Sequence, residues 1–149
     1  MGGGTGLVST MNSGSQVISS SGTGTVDTLN GGTQTVAGGV GTVSALQGGT
    51  QAVLTGGTAA NTTINGGTQN IASGGTALAT EVSGGIMQLA SGGIVSGLTM
   101  SGGSLELSAV GGGSFAINGT LTATQRRDRY DRSQPDRVQI CYPLLTTRP

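Results

Sequence analysis

Apolar residues recur along the first 125 positions in a long, regular rhythm rather than in the short one of an amphipathic helix. Aligning the chain on its Gly-Gly pairs exposes the unit: Asn30-Gly31-Gly32-Thr33-Gln34-Thr35-Val36, then Gln47-Gly48-Gly49-Thr50-Gln51-Ala52-Val53, then Asn65-Gly66-Gly67-Thr68-Gln69-Asn70-Ile71, at steps of 17 and 18 residues. The register extends back to Ser13-Gly14-Ser15-Gln16-Val17-Ile18 and forward to Gly84-Gly85-Ile86-Met87-Gln88-Leu89 and Gly102-Gly103-Ser104-Leu105-Glu106-Leu107, making six copies. Two columns stay aliphatic or Met in every copy: Ile18, Val36, Val53, Ile71, Leu89, Leu107 and Met11, Leu29, Leu46, Ile64, Val82, Met100. A second set of Gly pairs, at 38/39, 56/57, 74/75 and 92/93, divides each repeat into two short arms. Arms so short and so bounded by Gly predict strands separated by turns.

One repeat cannot bury its own apolar side. Stacked about 4.8 Å apart, successive coils place like residue over like residue and pair every interior backbone group with the next coil. The prediction is an all-β chain, a parallel right-handed β-helix (β-solenoid) of about six to seven short coils over residues 1–125, the last partial coil running through Phe115, Ile117 and Leu121. Strand parity then orients the side chains. With Val36 inward, Gln34 is inward too and Thr33 and Thr35 are outward. The Gln34 column reads Gln16, Gln34, Gln51, Gln69, Met87, Leu105, and its passage into Met and Leu agrees with burial. Val8, Val26 and Val43 stand three residues before the other apolar column, which a straight strand forbids, so a bend or bulge is expected there.

Composition changes the picture by subtraction. The chain has 31 Gly, no Trp, one Phe and two Tyr, which argues against a conventional globular core. Residues 1–125 carry only Asp27, Glu81 and Glu106 and no Lys or Arg, so this segment cannot neutralise phosphates and is a poor partner for nucleic acid or an anionic membrane. The lone Cys141 forms no intramolecular disulfide. No apolar run reaches the length of a membrane span, and the N-terminal residues have neither the charged nor the apolar region of an export signal.

Candidate chemistry is equally sparse. There is no His, which removes the usual general base and the commonest metal ligand, and the three acids fall in three different columns. Gly2-Gly3-Gly4-Thr5-Gly6 and Gly111-Gly112-Gly113-Ser114 lack the Lys and the strand-to-helix setting of a phosphate loop. Ser and Thr abound without a base to activate them. No catalytic, cofactor-binding or metal-binding residue is expected, and the chain is read as a non-enzyme. Outward Thr33, Thr35, Thr50 and Thr68 suit a solvated strand face, or display a regular array of hydroxyls.

Copies such as Gly57-Thr58-Ala59-Ala60-Asn61-Thr62-Thr63-Ile64-Asn65-Gly66-Gly67-Thr68-Gln69 resemble the passenger repeats of autotransporter adhesins of the diffuse-adherence (AIDA-type) and self-associating family, over roughly residues 4 to 124. That resemblance implies a stalk exported across the outer membrane, tethered there by a C-terminal β-barrel, and engaged in cell adhesion, autoaggregation and biofilm formation. Its implied partners are a second copy of the rod, a host-cell surface and a glycosyltransferase. It also implies O-linked heptose on outward residues, which by position are Thr33, Thr50, Thr58, Thr68 and Thr76. Such a rod is implied at the cell surface, although neither an export signal nor barrel strands occur in this sequence.

Two other readings compete. An ice-binding β-solenoid also ranks outward Thr on short coils, but the Thr33 column becomes Ile86 and Ser104 and the Thr35 column becomes Val17, Ala52, Asn70, Gln88 and Glu106. A β-helical carbohydrate-active protein would need clustered acids. From Arg126 onward the composition switches to six Arg, three Asp, three Pro and no Gly. Residues 126–149 are therefore expected to be a disordered tail outside the repeat. A shifted reading frame, which turns Gly codons into Arg codons, or a polar cap on the solenoid end would each produce it.

Overall fold

The protein is described by a computed structural model covering residues 3–108, 116–121 and 137–139, the last two segments as backbone strands alone. All sixteen described elements are strands, and they build two sheets. Sheet A contains β1 (Thr5–Met11), β3 (Thr23–Leu29), β5 (Val40–Leu46), β7 (Thr58–Ala60), β8 (Thr63–Ile64), β10 (Thr76–Leu78), β11 (Glu81–Val82), β13 (Ile94–Met100) and β15 (Ala116–Leu121). Sheet B contains β2 (Ser15–Ser19), β4 (Thr33–Ala37), β6 (Thr50–Val53), β9 (Thr68–Ile71), β12 (Ile86–Ala90), β14 (Ser104–Ser108) and β16 (Arg137–Gln139). The chain crosses from one sheet to the other at each Gly-containing turn and climbs one rung per circuit, which gives a parallel β-solenoid of about six turns.

Register follows the sequence repeat residue for residue. Gln16 pairs with Gln34, Gln34 with Gln51 and Gln51 with Gln69, while Leu29 pairs with Leu46 and Leu46 with Ile64. Turns join the ladder as well: the Thr33, Thr50 and Thr68 amides donate to the carbonyls of Gly14, Gly32 and Gly49 at 2.9, 3.0 and 3.0 Å. Stacking in this way leaves few backbone groups for the core to solvate. Of the twelve positions in the two apolar columns, eleven are buried and Met100, near the C-terminal end, is half-buried.

The glycines serve two different needs. Gly38 has φ of 86° and turns the chain where a side chain would strain it. Gly48 is excluded from growing for another reason, since a Cβ there would meet the Asn30 carbonyl oxygen of the coil below at 2.3 Å. Coil-on-coil contact, rather than backbone conformation, therefore fixes the first glycine of these turns, Gly31 and Gly66 as well as Gly48.

Inside, the four glutamines form one hydrogen-bonded ladder. Gln34 Nε2 donates to Gln16 Oε1 at 2.8 Å, Gln51 Nε2 to Gln34 Oε1 at 2.8 Å and Gln69 Nε2 to Gln51 Oε1 at 2.7 Å. Among the described residues no buried side-chain nitrogen or oxygen lacks a partner, so the buried amides carry no outstanding desolvation penalty.

The bend inferred from Val8, Val26 and Val43 is present. In β3 the inward positions are Gly24, Val26 and Leu29, so the alternation slips across Asp27 and Thr28. Further along, the slip becomes a break: Asn61 and Ala79 take φ of 52°, and the continuous strand divides into β7 with β8 and β10 with β11. Beyond the sixth copy, β15 continues sheet A in parallel with β13, as the partial seventh coil required. Within the segment read as a tail, β16 pairs antiparallel with β14 through Leu107↔Val138. Residues 126–136 and 140–149 lie outside the described residues.

Candidate functional site: the outward faces of the rod

Because each column repeats at the rung spacing, any outward residue type becomes a ladder along the rod. Thr33, Thr50 and Thr68 lie in direct register on the outer side of sheet B, flanked by Ser15 below and Ile86 and Ser104 above. Thr58 and Thr76 pair with each other on sheet A, not on sheet B. The five residues singled out in the sequence are thus two ladders on two different sheets. Each of the five is half-buried and alternates with buried positions along its strand, which puts it on the outer side of the sheet. Consecutive hydroxyls in a ladder sit about 4.8 Å apart.

Thr35 occupies the next outward column of sheet B, which passes through Ala52, Asn70, Gln88 and Glu106. Glu106 accepts a hydrogen bond from Gln88 Nε2 at 2.8 Å. Asp27 lies exposed at the bend of β3 and Glu81 exposed on β11, so the three acids of the repeat region are held apart by the fold. No cluster of three metal-ligating side chains occurs among the described residues.

Three features escaped the sequence reading. The outer face of sheet A carries two full columns in register, Thr5, Thr23, Val40, Thr58, Thr76, Ile94 and Leu7, Thr25, Thr42, Ala60, Leu78, Ser96. Only Thr58 and Thr76 of these columns were read as outward from the sequence, because the bend obscures which other arm residues face out. Thr62 and Thr80, expected on no particular face, are buried and donate to Gln51 Oε1 at 3.1 Å and Gln69 Oε1 at 3.4 Å. At the turns, Asn30 Nδ2 donates to Asn12 Oδ1 at 2.9 Å and Ser83 Oγ to Asn65 Oδ1 at 2.6 Å, an outer polar ladder beside the inner one.

Neither a family model nor a curated protein matches the chain. Among solved structures it is similar to the TibC-catalyzed hyper-glycosylated TibA55-350 fragment, at 34% identity and a TM-score of 0.56. The match covers 66% of this chain and 38% of that one, so the chain spans well under half of the fragment's length. The likeness embraces both the stacked-coil fold and a third of the residues it aligns, on a protein whose crystallised form carries sugars.

Proposed function

We propose that this chain is a stretch of the surface-exposed passenger stalk of an autotransporter adhesin, acting by contact rather than by catalysis in cell adhesion, autoaggregation or biofilm formation. The single observation that carries the reading is the combined fold and sequence likeness to the TibA fragment, the passenger of an AIDA-type autotransporter adhesin. The geometry suits such a role. A coil stack turns short, weakly apolar repeats into a stiff rod, and its sides present side chains stacked in register from rung to rung. Contact chemistry of that kind is individually weak and gains strength by repetition along the rod and between many rods on one cell.

Sugar attachment belongs to the same proposal. Thr33, Thr50 and Thr68 on sheet B and Thr58 and Thr76 on sheet A are outward hydroxyls on strands whose backbone is already fully paired, so adding a sugar disturbs no hydrogen bond of the ladder. The matched fragment is hyper-glycosylated through TibC, and a transferase of that kind is the partner proposed for these residues. The test is display of the chain on an outer-membrane barrel in a non-adherent bacterium. Displaying cells are expected to clump or to bind cultured host cells above the barrel-only control, and peptides bearing the five Thr are expected to gain sugar mass when the transferase is co-expressed. Equal settling and equal binding in both strains would end the adhesive reading, and unmodified peptides would remove the glycan part alone.

A further inference from the structure

The exposed apolar residues of the rod are not spread evenly around it. Among the described residues six large apolar side chains are exposed, and four of them, Leu7, Val40, Leu78 and Ile94, belong to the two outward columns of sheet A. The remaining positions of those columns are Thr, Ser and Ala, and every position of the first column is β-branched. Of the three acids of the repeat region, Glu106 lies on sheet B, and Asp27 and Glu81 lie on sheet A outside these two columns, Asp27 at the bend two residues beyond Thr25 and Glu81 on β11. Sheet A therefore presents a strip two columns wide and six rungs long that mixes methyl groups with hydroxyls and holds no charge.

We infer that this strip is the surface through which one copy of the chain packs against a second copy. The inference rests on the self-associating form of the adhesive reading above. An isologous interface brings like residues close to like across its two-fold axis, so a charge within the strip would meet its own kind. A neutral strip avoids that repulsion, whereas it offers nothing to complement a charged receptor. Aromatic platforms, which dominate most strong binding sites, are absent from it. Two such strips pack as sheets do, about 10 Å apart with side chains interdigitating. Threonine hydroxyls left between methyl groups can bond across the interface or to trapped water. Six rungs span about 29 Å along the axis, giving roughly 300 Å² per partner for a strip about 10 Å wide. This is well below the roughly 800 Å² of a stable interface, so a single pair of rods is weakly held and dense display on a cell is what makes the contact effective.

The test uses the full chain displayed on a barrel in a strain without a glycosyltransferase, and compares three double variants. Thr25→Lys with Leu78→Lys charges the strip at two outward positions, Thr25→Glu with Leu78→Glu charges it with the opposite sign, and Thr35→Lys with Asn70→Lys places the same lysines on sheet B. Parent cells clump, each strip variant alone clumps at least tenfold less, a mixture of Lys and Glu strip cells clumps again, and the sheet B variant behaves as the parent. Circular dichroism of the purified variants is expected to match the parent, because both altered side chains already point outward. Clumping by the strip variants at parental level, or its loss in the sheet B variant, overturns the assignment of the face while leaving self-association intact. Parent cells that bind host cells yet never clump overturn self-association as a whole and keep the adhesive reading, and parent cells that do neither overturn both.

Discussion

The second and third coils and the two that follow share a repeat and a register, yet they fill the interior in different ways. In the earlier coils sheet A turns Gly24, Val26, Leu29 and Gly41, Val43, Leu46 inward on unbroken strands. In the later ones it turns Ala59, Thr62, Ile64 and Ala77, Thr80, Val82 inward across a break at Asn61 or Ala79. The difference lies in how each region satisfies a buried glutamine. Glycine at 24 leaves the backbone bare, and Gln34 Nε2 reaches the Gly24 and Thr42 carbonyls, each at 3.4 Å. Where alanine covers the backbone instead, the strand breaks and brings a threonine hydroxyl to the glutamine carbonyl. One coil later Met87 replaces glutamine, and the residue in the threonine position is Leu98, buried and apolar. Opposite residues thus change together, polar with polar and apolar with apolar, so the solenoid is best understood rung by rung rather than as one averaged repeat.

The harshest way to break both regions at once is Val53→Asp. Val53 is fully buried on β6 at the boundary between them, and an unpaired carboxylate there costs several kcal/mol, of the order of 3 to 5. Loss of the cooperative melt is expected, and a variant that melts like the parent would mean that residue 53 faces water. Next comes a substitution that should separate the regions. Gly41→Ala puts a Cβ 2.3 Å from Val36 Cγ2 and 2.8 Å from Gln34 Oε1, a clash worth about 1 to 3 kcal/mol. The reverse change one coil later, Ala59→Gly, removes one buried methyl and should cost only about 1 kcal/mol. Denaturant midpoints of the two variants measure the asymmetry.

The pairing of glutamine with threonine is sharpened by a double-mutant cycle. Gln69→Met strips Thr80 of its acceptor, and Thr80→Leu strips Gln69 of a donor, each costing about 1 to 3 kcal/mol. Made together they copy the Met87 and Leu98 combination, the ladder then ends at Gln51 with Thr62 as its cap, and the double variant should be markedly less destabilised than the two costs added. Simple additivity would show that the two side chains do not interact. The smallest expected effect is at the break itself. Ala79→Gly relieves a non-glycine residue at φ of 52° and should stabilise by about 1 kcal/mol, whereas Gly97→Ala, at φ of 72°, should destabilise by a similar amount.

Much of this was legible because stacking forces like over like. Ile18 to Leu107 could be recognised as one column from sequence alone, and parity put Gln34 inside once Val36 was inside. The limits are equally physical. Thr62 and Thr80 go inward only because the strand breaks just before them, and Ala79 gives no sign of a left-handed conformation that Asn61 alone hints at. Val26 betrayed that a bend exists without revealing that later coils convert it into a break. The tail was read from composition, which can suggest an end to the repeat but not the antiparallel pairing of β16 with β14, because that contact depends on an edge the fold leaves open. The sheet A strip was legible only at Thr58 and Thr76, because extending it along the rod requires knowing where the alternation slips.

Both outer faces exist only if the coils lie one above another in register, and spin labels report that arrangement most directly. Nitroxides on Cys substituted at Thr33 and Thr50, in a background where Cys141 is replaced by Ser, should sit on adjacent rungs of sheet B about 5 Å apart and broaden each other's continuous-wave spectrum strongly. Labels at Thr33 and Thr58 point away from different sheets and should give the narrow sum of two isolated spectra. Broadening in the first pair and none in the second is the expected result. Narrow spectra in both, in a protein that still melts cooperatively, would contradict the stacked solenoid and every surface built on it.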